Sequence, residues 1–600
     1  MSSTAASPIL AAKGGSFLLE PLTATEVFTP EDLTEEQRQV AATAEQFARD
    51  EIEPAVAEIE AKKPGAMAAL LQKAGELGFT AIEIPETYGG MELDKVSSSA
   101  LIDHLSALAS FSTAFGAHVG IATLPLVWYG TAEQKQRYLP KLATAGCVGA
   151  YALSEASSGS DAMNIRTHAV LSPEGTHYVL NGEKQWITNG GIAGLYTVFA
   201  KIDGEKFSAF LIERDTPGLS VGAEEHKLGI RGSSTCPLIL TDCRVPKENL
   251  LGEPGKGHHI AFNVLNMGRF KLGVACVGGA RRALGHTVRY AKERKAFGKS
   301  IAEFGLIQRK IATGAARLYA TESMAYRTAG MLDASLATLD GTQSEDMRAV
   351  QKRIEEYAVE CSILKVYGSE MLAFVTDELV ATMGGYGYVE EYPAERLYRD
   401  ARINRIFEGT NEINRLIITG WLMKRAMKGE LPLTAAIKTL MDEVMQPPSL
   451  DSAEELDSPL ARETKALAAL RKIALFAAGV ASQRFMAALE NEQEIMGDLA
   501  DMISQVFAVE SALVRAQKLA ANGADKAAEV AAAMAALLAE ESLALAEQGA
   551  RRILAACSEG DMLRTQLAIL RRLAKHDPVD TIGLSRAVAQ SCVESGRYPL

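Results

Sequence analysis

The stretch from Met383 to Arg415 contains the residue best suited to chemistry, a carboxylate in apolar surroundings. Glu408 follows an isoleucine and a phenylalanine and precedes a glycine. Beyond it, Asn411 is predicted as the N-cap of a helix that runs to about Lys424. A carboxylate on a short loop backed by apolar side chains has its pKa raised by desolvation, which suits a general base. The alternative role for Glu408 is to add negative charge at the start of the following helix.

Four other motifs contain side chains that could bind a ligand. The run Tyr151–Asp161 has several hydroxyls that could donate to ring heteroatoms or phosphates, although an ordinary polar loop is the commoner outcome. Trp186 and Thr188 could cover a flat aromatic ring, and a packed core is the usual alternative for a tryptophan. Arg269 could anchor a carbonyl-rich ligand, with a structural ion pair as its alternative. Arg294 could bind a pyrophosphate through its guanidinium, or it could belong to a turn that ends a helix.

The elements that must position these residues are predicted to be mainly α, with a central antiparallel β domain and an extra C-terminal α-helical domain. Apolar runs on both sides of Asn181-Gly182 and of Asp203-Gly204 predict two β-hairpins. Long amphipathic stretches after the β region suit an antiparallel helical bundle. The predicted regions are an irregular segment (1–34), an α-helical domain (35–145), the β domain (146–256), the bundle with the base (257–428), a connector (429–459) and the extra helical domain (460–600).

The composition argues against several classes of protein. The chain has 600 residues, too many for one hydrophobic core, and a net charge of −13 that disfavours nucleic acid as a partner. Its seven cysteines are scattered and form no CxxC pair, and no histidines have ligand spacing, so neither a disulfide framework nor a metal site is expected. No apolar run approaches the roughly 20 residues of a membrane span. The N-terminus lacks secretory and transit patterns, so we expect a cytoplasmic protein.

In this order, the motifs resemble those of the acyl-CoA dehydrogenase family over residues 35–425. The similarity rests on Ala152–Asp161, Trp186–Thr188, Arg294 with Phe297-Gly298, and the run from Gly384 to Asn411 that ends in Arg-Ile-Phe-Glu-Gly-Thr-Asn. The helical extension, together with Glu303–Gln308 and Thr321–Tyr326, resembles the very-long-chain branch of the family. The resemblance implies an α domain, a β domain and a helical bundle, followed by the extra domain.

The resemblance also implies a reaction. Members bind FAD, remove two hydrogens from the α and β carbons of an acyl-CoA thioester and pass electrons to an electron-transferring flavoprotein. By analogy, Glu408 takes the α proton while hydride moves from Cβ to the flavin, and the Glu408 N–H polarises the thioester carbonyl. Some members place the base at the position of Gly268, which has no side chain to titrate here. The branch points to long straight acyl chains as substrates.

Site residues follow from the resemblance position by position. Those implied at FAD are Tyr151, Leu153, Ser154, Gly159, Ser160, Trp186, Ile187, Thr188, Thr410, Asn411 and Glu412, with Arg294, Phe297, Gly384 and Gly385 supplied by a neighbouring subunit. Those implied at the acyl-CoA are Ser160, Asn266, Arg269 and Gly409. Three positions depart from the family pattern: Ser154 replaces a usual Thr, and Ala381 and Gly305 each replace a common Gln. The departure at Ala381 removes one expected hydrogen bond to FAD.

The helical extension implies a homodimer, because in the long branch it covers the surface on which shorter members form tetramers. The long branch also has a membrane-docking segment near this point. Here, residues 433–445 contain one Lys and two acids, which suits anionic lipid poorly, so peripheral membrane association stays open. Two alternative functions also stay open: an acyl-CoA oxidase that uses oxygen, and an assembly or scaffold protein with vestigial dehydrogenase activity.

Overall fold

The computed structural model describes residues 11–340, 347–445 and 460–600. The predicted fold class is confirmed: helices come first, a β-sheet follows, and helices return to the C-terminus. The first region begins at Thr34, whose side chain and that of Gln37 form a capping box for the first helix. Its helices are Glu35–Phe47 (α1), Val56–Glu60 (α2), Ala66–Glu76 (α3), Lys95–Leu105 (α4), Ala109–Gly116 (α5), Leu124–Tyr129 (α6) and Ala132–Ala143 (α7).

The middle region is one eight-stranded sheet in the order β6-β7-β3-β2-β4-β5-β8, with β1 beside β4. Most neighbours are antiparallel, whereas β1 and β2 each pair with β4 in parallel. This sheet therefore departs from the purely antiparallel prediction at β4. The strands are Gly149–Ala152 (β1), His168–Leu171 (β2), His177–Thr188 (β3), Leu195–Ile202 (β4), Lys206–Glu213 (β5), Leu219–Val221 (β6), Thr235–Pro246 (β7) and Leu250–Leu251 (β8).

One of the two predicted hairpins exists. Asp203 and Gly204 have φ values of 54° and 78° and join β4 to β5. The hairpin predicted at Asn181-Gly182 is wrong, because β3 continues through both residues with a shift in its register against β7. A glycine is needed there for close packing, since a Cβ added at Gly182 would lie 2.7 Å from the Thr167 Cα. The Asn181 side chain is used across the sheet, where its Oδ1 accepts the Asp242 N–H at 2.8 Å.

Long helices form the bundle that follows the sheet. They are Gly257–Glu293 (α8), Gly305–Leu336 (α9), Met347–Glu355 (α10), Ala358–Met383 (α11), Pro393–Ala401 (α12) and Asn411–Met427 (α13). A two-residue hairpin between α8 and α9, Lys295–Ala296 (β9) and Lys299–Ser300 (β10), places Phe297 and Gly298 at its tip. The main pairing is between α8 and α11. These two helices also contact the sequence that precedes α13, which contains Glu408.

The C-terminal region is helical, as predicted. Its helices are Leu433–Met445 (α14), Ala461–Phe485 (α15), Gln493–Ala521 (α16), Asp525–Cys557 (α17), Gly560–Leu573 (α18) and Thr581–Ser595 (α19). The predicted connector, 429–459, contains α14, which packs on α15. The two helices approach closely at Gly479 of α15, because a Cβ added there would lie 2.7 Å from the Ile437 side chain. The Pro-rich part of that connector, 446–459, lies outside the described residues, as do residues 1–10.

In the part of the chain that the structure describes, three helical stretches are long and apolar enough to cross a membrane by length and composition alone: Ala109–Tyr129, Gly257–Glu293 and Ala461–Asn491. The prediction that no run approaches this length is therefore wrong. In the first two stretches 78% of the most apolar window is buried within the protein, and in the third 50% is buried. Apolar length in α8 thus serves packing in the centre of the bundle.

A buried charge cluster joins the C-terminal region to the rest of the chain. Arg515 on α16 is 2% exposed and binds Glu322 of α9 at 2.5 Å and Glu31 of the N-terminal segment at 2.7 Å. The Tyr598 hydroxyl donates to Glu322 at 3.0 Å. Arg281 of α8 binds the other carboxylate oxygen of Glu322 at 2.5 Å. We call these five residues the core charge cluster.

Candidate active site

The Glu408 loop precedes α13 and has two consecutive residues with left-handed backbone. Glu408 has φ 58° and Gly409 has φ 80°. The N-cap of α13 is Thr410, whose hydroxyl accepts the Ile413 N–H at 3.2 Å. The prediction of Asn411 as N-cap is therefore wrong by one residue, because its side chain is turned inward and buried. A non-glycine residue in this conformation costs about 1–3 kcal/mol and needs support from its surroundings.

Side chains from three helices provide that support by donating to the loop carbonyls. The Lys365 ammonium donates to the Gly409 carbonyl at 2.6 Å. The Asn414 amide donates to the same carbonyl at 2.9 Å and to the Glu408 carbonyl at 3.3 Å. Arg269 also donates to the Glu408 carbonyl, through Nε at 3.3 Å. The loop is therefore held by hydrogen bonds to its backbone, which leave the Glu408 side chain uncommitted.

Two glycines explain how Arg269 and Lys365 reach one loop from different helices. A Cβ added at Gly368 of α11 would lie 3.3 Å from the carbonyl oxygen of Gly273 in α8. The two helix backbones thus approach closely at this crossing. Arg269 and Lys365 each lie about one turn before the crossing, so both side chains converge on the Glu408 loop.

The Glu408 carboxyl group lines a cavity, and its Oε2 has no hydrogen-bond partner among the described residues. Burial raises the pKa of Glu408 to about 7, and the positive charges of Arg269 and Lys365 oppose that rise. A Cβ added at Gly268 would lie 2.5 Å from Oε2, so only glycine at this position leaves the carboxyl group in place. An unpaired carboxylate that titrates near neutral pH at a cavity wall can act as a general base.

The cavity extends along α8 from Gly268 to Arg282, a distance of roughly 21 Å at 1.5 Å per residue. Its walls include aliphatic side chains from several helices, such as Leu105 and Leu372. At its far end, Arg282 pairs with Glu53 at 2.7 Å. The lining also includes the Asp400 carboxyl group, which accepts the Ile230 N–H at 2.5 Å. A long, mainly apolar cavity with Glu408 at one end suits an extended hydrocarbon chain whose reacting group lies beside Glu408.

The residues predicted on the Ser-rich loop (Tyr151–Asp161) and on β3 differ in burial and in their relation to the cavity. Thr188 lines the cavity together with Glu408. The Tyr151 hydroxyl is buried without a partner among the described residues. Trp186 is 57% exposed and lies at a bulge in β3 with φ 58°. Of the remaining residues, Leu153 and Ile187 are buried, Ser154 is half-buried, and Gly159 and Ser160 are exposed.

A buried ion pair beneath the Ser-rich loop is absent from the sequence-based site. The Lys184 ammonium is fully buried and contacts the Glu155 carboxylate at 2.7 Å and the Leu153 carbonyl at 3.1 Å. Glu155 also accepts the Arg166 and Thr167 N–H groups at 2.6 and 3.1 Å. The available signal was the alternation in β3, which places Lys184 on the same face as the buried strand residues. This pair fixes the base of the loop.

Arg294, Phe297, Gly384 and Gly385 do not join the Glu408 cavity within one chain. Arg294 and the two glycines line a separate surface pocket next to Tyr386. Phe297 projects from the tip of the β9–β10 hairpin and is 95% exposed. A Cβ added at Gly384 or Gly385 would contact no described atom, so both glycines face open space.

The predicted substrate residues fall into two groups. Arg269 donates to the Asn266 side chain at 2.9 Å, and both residues are buried beside Gly409 and Glu408. Ser160 is on the exposed loop.

Thr410 and Glu412, predicted at the cofactor, occupy the N-terminal end of α13, where backbone N–H groups favour an anion. In the described residues, no group of three potential ligands could hold a metal ion.

Family models and known relatives identify this architecture. Models of the acyl-CoA dehydrogenase N-terminal, middle and C-terminal domains match residues 34–146, 150–243 and 255–423, and a further C-terminal domain model matches 469–572. A probable acyl-CoA dehydrogenase of Bacillus subtilis is 47% identical over 587 residues, which are 98% of each chain. The chain belongs to the acyl-CoA dehydrogenase family. It is therefore an oxidoreductase, as predicted.

Two other similarities show how far the likeness to acyl-CoA dehydrogenases extends. An acyl-CoA dehydrogenase of Bacillus anthracis, solved in complex with FAD, is 47% identical with a TM-score of 0.95, covering 98% of this chain and 100% of that chain. The human very long-chain specific acyl-CoA dehydrogenase is 40% identical over 353 residues, which are 57% of this chain and 51% of that protein. The similarity to the Bacillus anthracis protein includes the C-terminal helical region, whereas the similarity to the human protein covers a shorter part of this chain.

The residues of this acyl-CoA dehydrogenase fit a flavin. The exposed Trp186 ring offers a flat apolar face two residues before Thr188, which lines the cavity with Glu408. The orphaned Tyr151 hydroxyl lies in the same region, since its pKa is raised by burial and by the charge of Glu408. Such a surface can cover a tricyclic ring, while the N-terminal end of α13 can face a pyrophosphate.

Proposed function

We propose that this chain is an FAD-dependent dehydrogenase of long-chain acyl-CoA thioesters in fatty acid β-oxidation, forming trans-2-enoyl-CoA. The observation that carries the proposal is the unpaired Glu408 carboxyl oxygen at the head of an apolar cavity. A carbon acid next to a thioester is weak, so its deprotonation needs a base held at the reacting carbon. Family membership supports the reaction class, and the cavity supports the acyl chain as substrate.

Each group around the cavity has a part in this reaction. Glu408, ionised, removes the α proton, and Arg269 and Lys365 favour its ionised form. The Glu408 N–H would donate to the thioester carbonyl as negative charge develops there. Gly409 leaves space for the thioester. FAD, when bound against Trp186 and Thr188, supplies the acceptor for hydride from Cβ.

The cavity length is the basis for proposing long straight chains. Gly279 lies near the far end of the cavity, and a Cβ added there would be 3.5 Å from Leu372, an ordinary contact. We expect Gly279→Leu to fill the distal part, lowering kcat/KM for a 16-carbon acyl-CoA at least 10-fold while octanoyl-CoA is unaffected. Gly279→Ala is the matched control and should retain both activities. Equal losses for both chain lengths would contradict this placement of the acyl chain.

The same acyl-CoA series tests the proposed function. Purified holoenzyme is assayed with straight-chain substrates of increasing length and either electron-transferring flavoprotein or a dye as acceptor. We propose electron-transferring flavoprotein as the physiological acceptor, so turnover in air should require either this flavoprotein or the dye. Hydrogen peroxide formed in proportion to product, without added acceptor, would instead identify an oxidase. Failure to oxidise any member of the series would reject the proposed substrate class.

We also propose that the enzyme is a cytoplasmic homodimer. The pocket of Arg294, Gly384 and Gly385 is separate from the Glu408 cavity, so a second subunit is needed to place these residues at one cofactor. The exposed Phe297 and Tyr388 rings supply apolar surface beside that pocket. The seven cysteines, all within the described residues, are free thiols, as suits a reducing compartment.

Sedimentation velocity of the holoenzyme tests the proposed assembly. We expect one species with the mass of two chains over a range of concentrations. Phe297→Glu, which puts a charge on the exposed hairpin tip, should shift that species toward monomer and release FAD. A stable tetramer, or a monomer that retains FAD, would contradict the homodimer.

A further inference from the structure

A buried lysine contacts the backbone of the Glu408 loop. Lys365 on α11 is fully buried. Its ammonium donates to the Gly409 carbonyl at 2.6 Å and to the Asn411 side-chain oxygen at 2.8 Å. Both acceptors come immediately after Glu408 in the chain, so one charged group ties the loop to the start of α13.

The polar contacts continue from Lys365 to the C-terminal helical region. The Asn411 amide donates to Glu370 at 3.0 Å. Arg415, one turn along α13, binds Glu370 at 2.9 Å and Asp501 of α16 at 2.7 Å. Every step of this path joins side chains of opposite charge or a donor to an acceptor. The loop is thus connected to α16 by contacts between named atoms.

We propose that Lys365 is a positioning residue for the acyl-CoA dehydrogenation, and that α16 steadies it through Asp501, Arg415, Glu370 and Asn411. The proposal rests on the proposed function only in taking Glu408 as the base. It gives the C-terminal region a role in the active site in addition to its packing role.

Peptide geometry explains what Lys365 does. In a trans peptide, the carbonyl and the following N–H point in opposite directions. Lys365 and Asn414 both donate to the Gly409 carbonyl. They therefore fix the orientation of the Gly409–Thr410 peptide plane, with the Thr410 N–H on the opposite side. Without the ammonium, the left-handed pair Glu408-Gly409 loses one of the contacts that offset its strain. The carboxyl group would then sample positions away from the reacting carbon.

The charge of Lys365 acts on Glu408 as well. Groups that face Glu408 are Arg269 from α8, Lys365 from α11 and Tyr151 from β1. Burial lowers the pKa of Lys365 to about 8, and the negative charge of Glu408 opposes that fall. The ammonium is therefore mostly charged at pH 7, where it favours ionised Glu408. Its removal should move the pKa of Glu408 upward.

Lys365→Met is the direct test, with wild-type holoenzyme and its best acyl-CoA substrate as reference. We expect kcat to fall about 100-fold, as for a base displaced by about 1 Å, with KM within twofold. The rise of kcat with pH should move about 1 unit toward alkaline pH. Hydrogen exchange of the peptide spanning 404–416 should become faster. Lys365→Gln, which keeps a donor without charge, should recover the slow exchange but keep the displaced pH profile.

Lys518→Met is a matched control, because Lys518, like Lys365, donates to one backbone carbonyl, here of Val27, and to one side-chain oxygen, here of Asp32. It should leave kcat and the pH profile unchanged. Asp501→Asn should lower kcat about threefold in wild type and have no further effect in Lys365→Met.

Wild-type kcat and pH profile in Lys365→Met would overturn the proposal, as would additive losses in the double variant. Wild-type kcat in Asp501→Asn would overturn the link to α16. A wild-type enzyme inactive on every acyl-CoA would count against the proposed function instead. In that case, unchanged exchange at 404–416 in Lys365→Met would still refute the positioning role.

Discussion

Glu408→Gln should reduce turnover of acyl-CoA by about 10⁴-fold and leave FAD bound, because the amide keeps the shape of the side chain but cannot accept the α proton. The measurement is anaerobic reduction of the flavin absorbance by substrate, followed by steady-state turnover. The matched control is Glu360→Gln, since burial also raises the pKa of Glu360 to about 7. Glu360 accepts the Gly15 N–H and lies outside the cavity, so its variant should keep wild-type kcat.

The pH dependence of the wild-type enzyme follows from the same carboxylate. Burial raises the pKa of Glu408 to about 7 from 4.5, and only the ionised form can take a proton. Turnover should therefore be low at pH 5, rise through about pH 7 and level off above it. Near-normal activity in Glu408→Gln, or a profile that is flat between pH 5 and 8, would show that another group is the base.

Arg515→Met should strongly destabilise the fold, because Glu322 loses one of its two arginine partners and Glu31 loses its hydrogen bonds to the guanidinium. Breaking a buried ion pair from one side costs about 3–5 kcal/mol in the free energy of unfolding. The measurement is urea unfolding followed by circular dichroism, with the mass of the native species checked first. Arg552→Met is the matched control, since Arg552 is 56% exposed in its pair with Asp498 and should cost less than about 1 kcal/mol.

The cluster also predicts a loss of stability in acid. Burial alone would raise the pKa of Glu322, but Arg515 and Arg281 lower it to about 2 from 4.5. The group then binds protons more weakly in the folded chain than in the unfolded chain, so its stabilisation is present above about pH 4.5 and is lost as the pH falls toward 2. In Arg515→Met the acid dependence should shrink. Equal losses for the Arg515 and Arg552 variants would refute a special role for the cluster.

The sequence was informative where local pattern decides the outcome. Helical spacing located the bundle and the C-terminal region, and the Asp203-Gly204 hairpin follows from turn chemistry. The hairpin predicted at Asn181-Gly182 was wrong because the glycine there allows close packing against Thr167 instead of forming a turn. At α13, both Thr410 and Asn411 are good capping residues, and only the buried partners of Asn411 decide between them.

Residues whose partners are distant in the chain could not be found in this way. Lys365 and Gly409 are 44 positions apart, and Lys184 and Glu155 are 29 apart. Nothing local marks either lysine as paired, although each lies at a buried position of its element. Glu408 was predictable from its own neighbours, whereas the groups that hold it depend on the crossing of α8 and α11 at Gly273 and Gly368.

The core charge cluster has a consequence for synthesis on the ribosome. Glu322 emerges well before Arg515, and Tyr598 follows later still. Before Arg515 is made, the Glu322 carboxylate has Arg281 but not Arg515 to offset its desolvation. The bundle therefore cannot reach its final stability before the C-terminal helices are made. Protease resistance of residues 257–428 should appear when those last helices are complete.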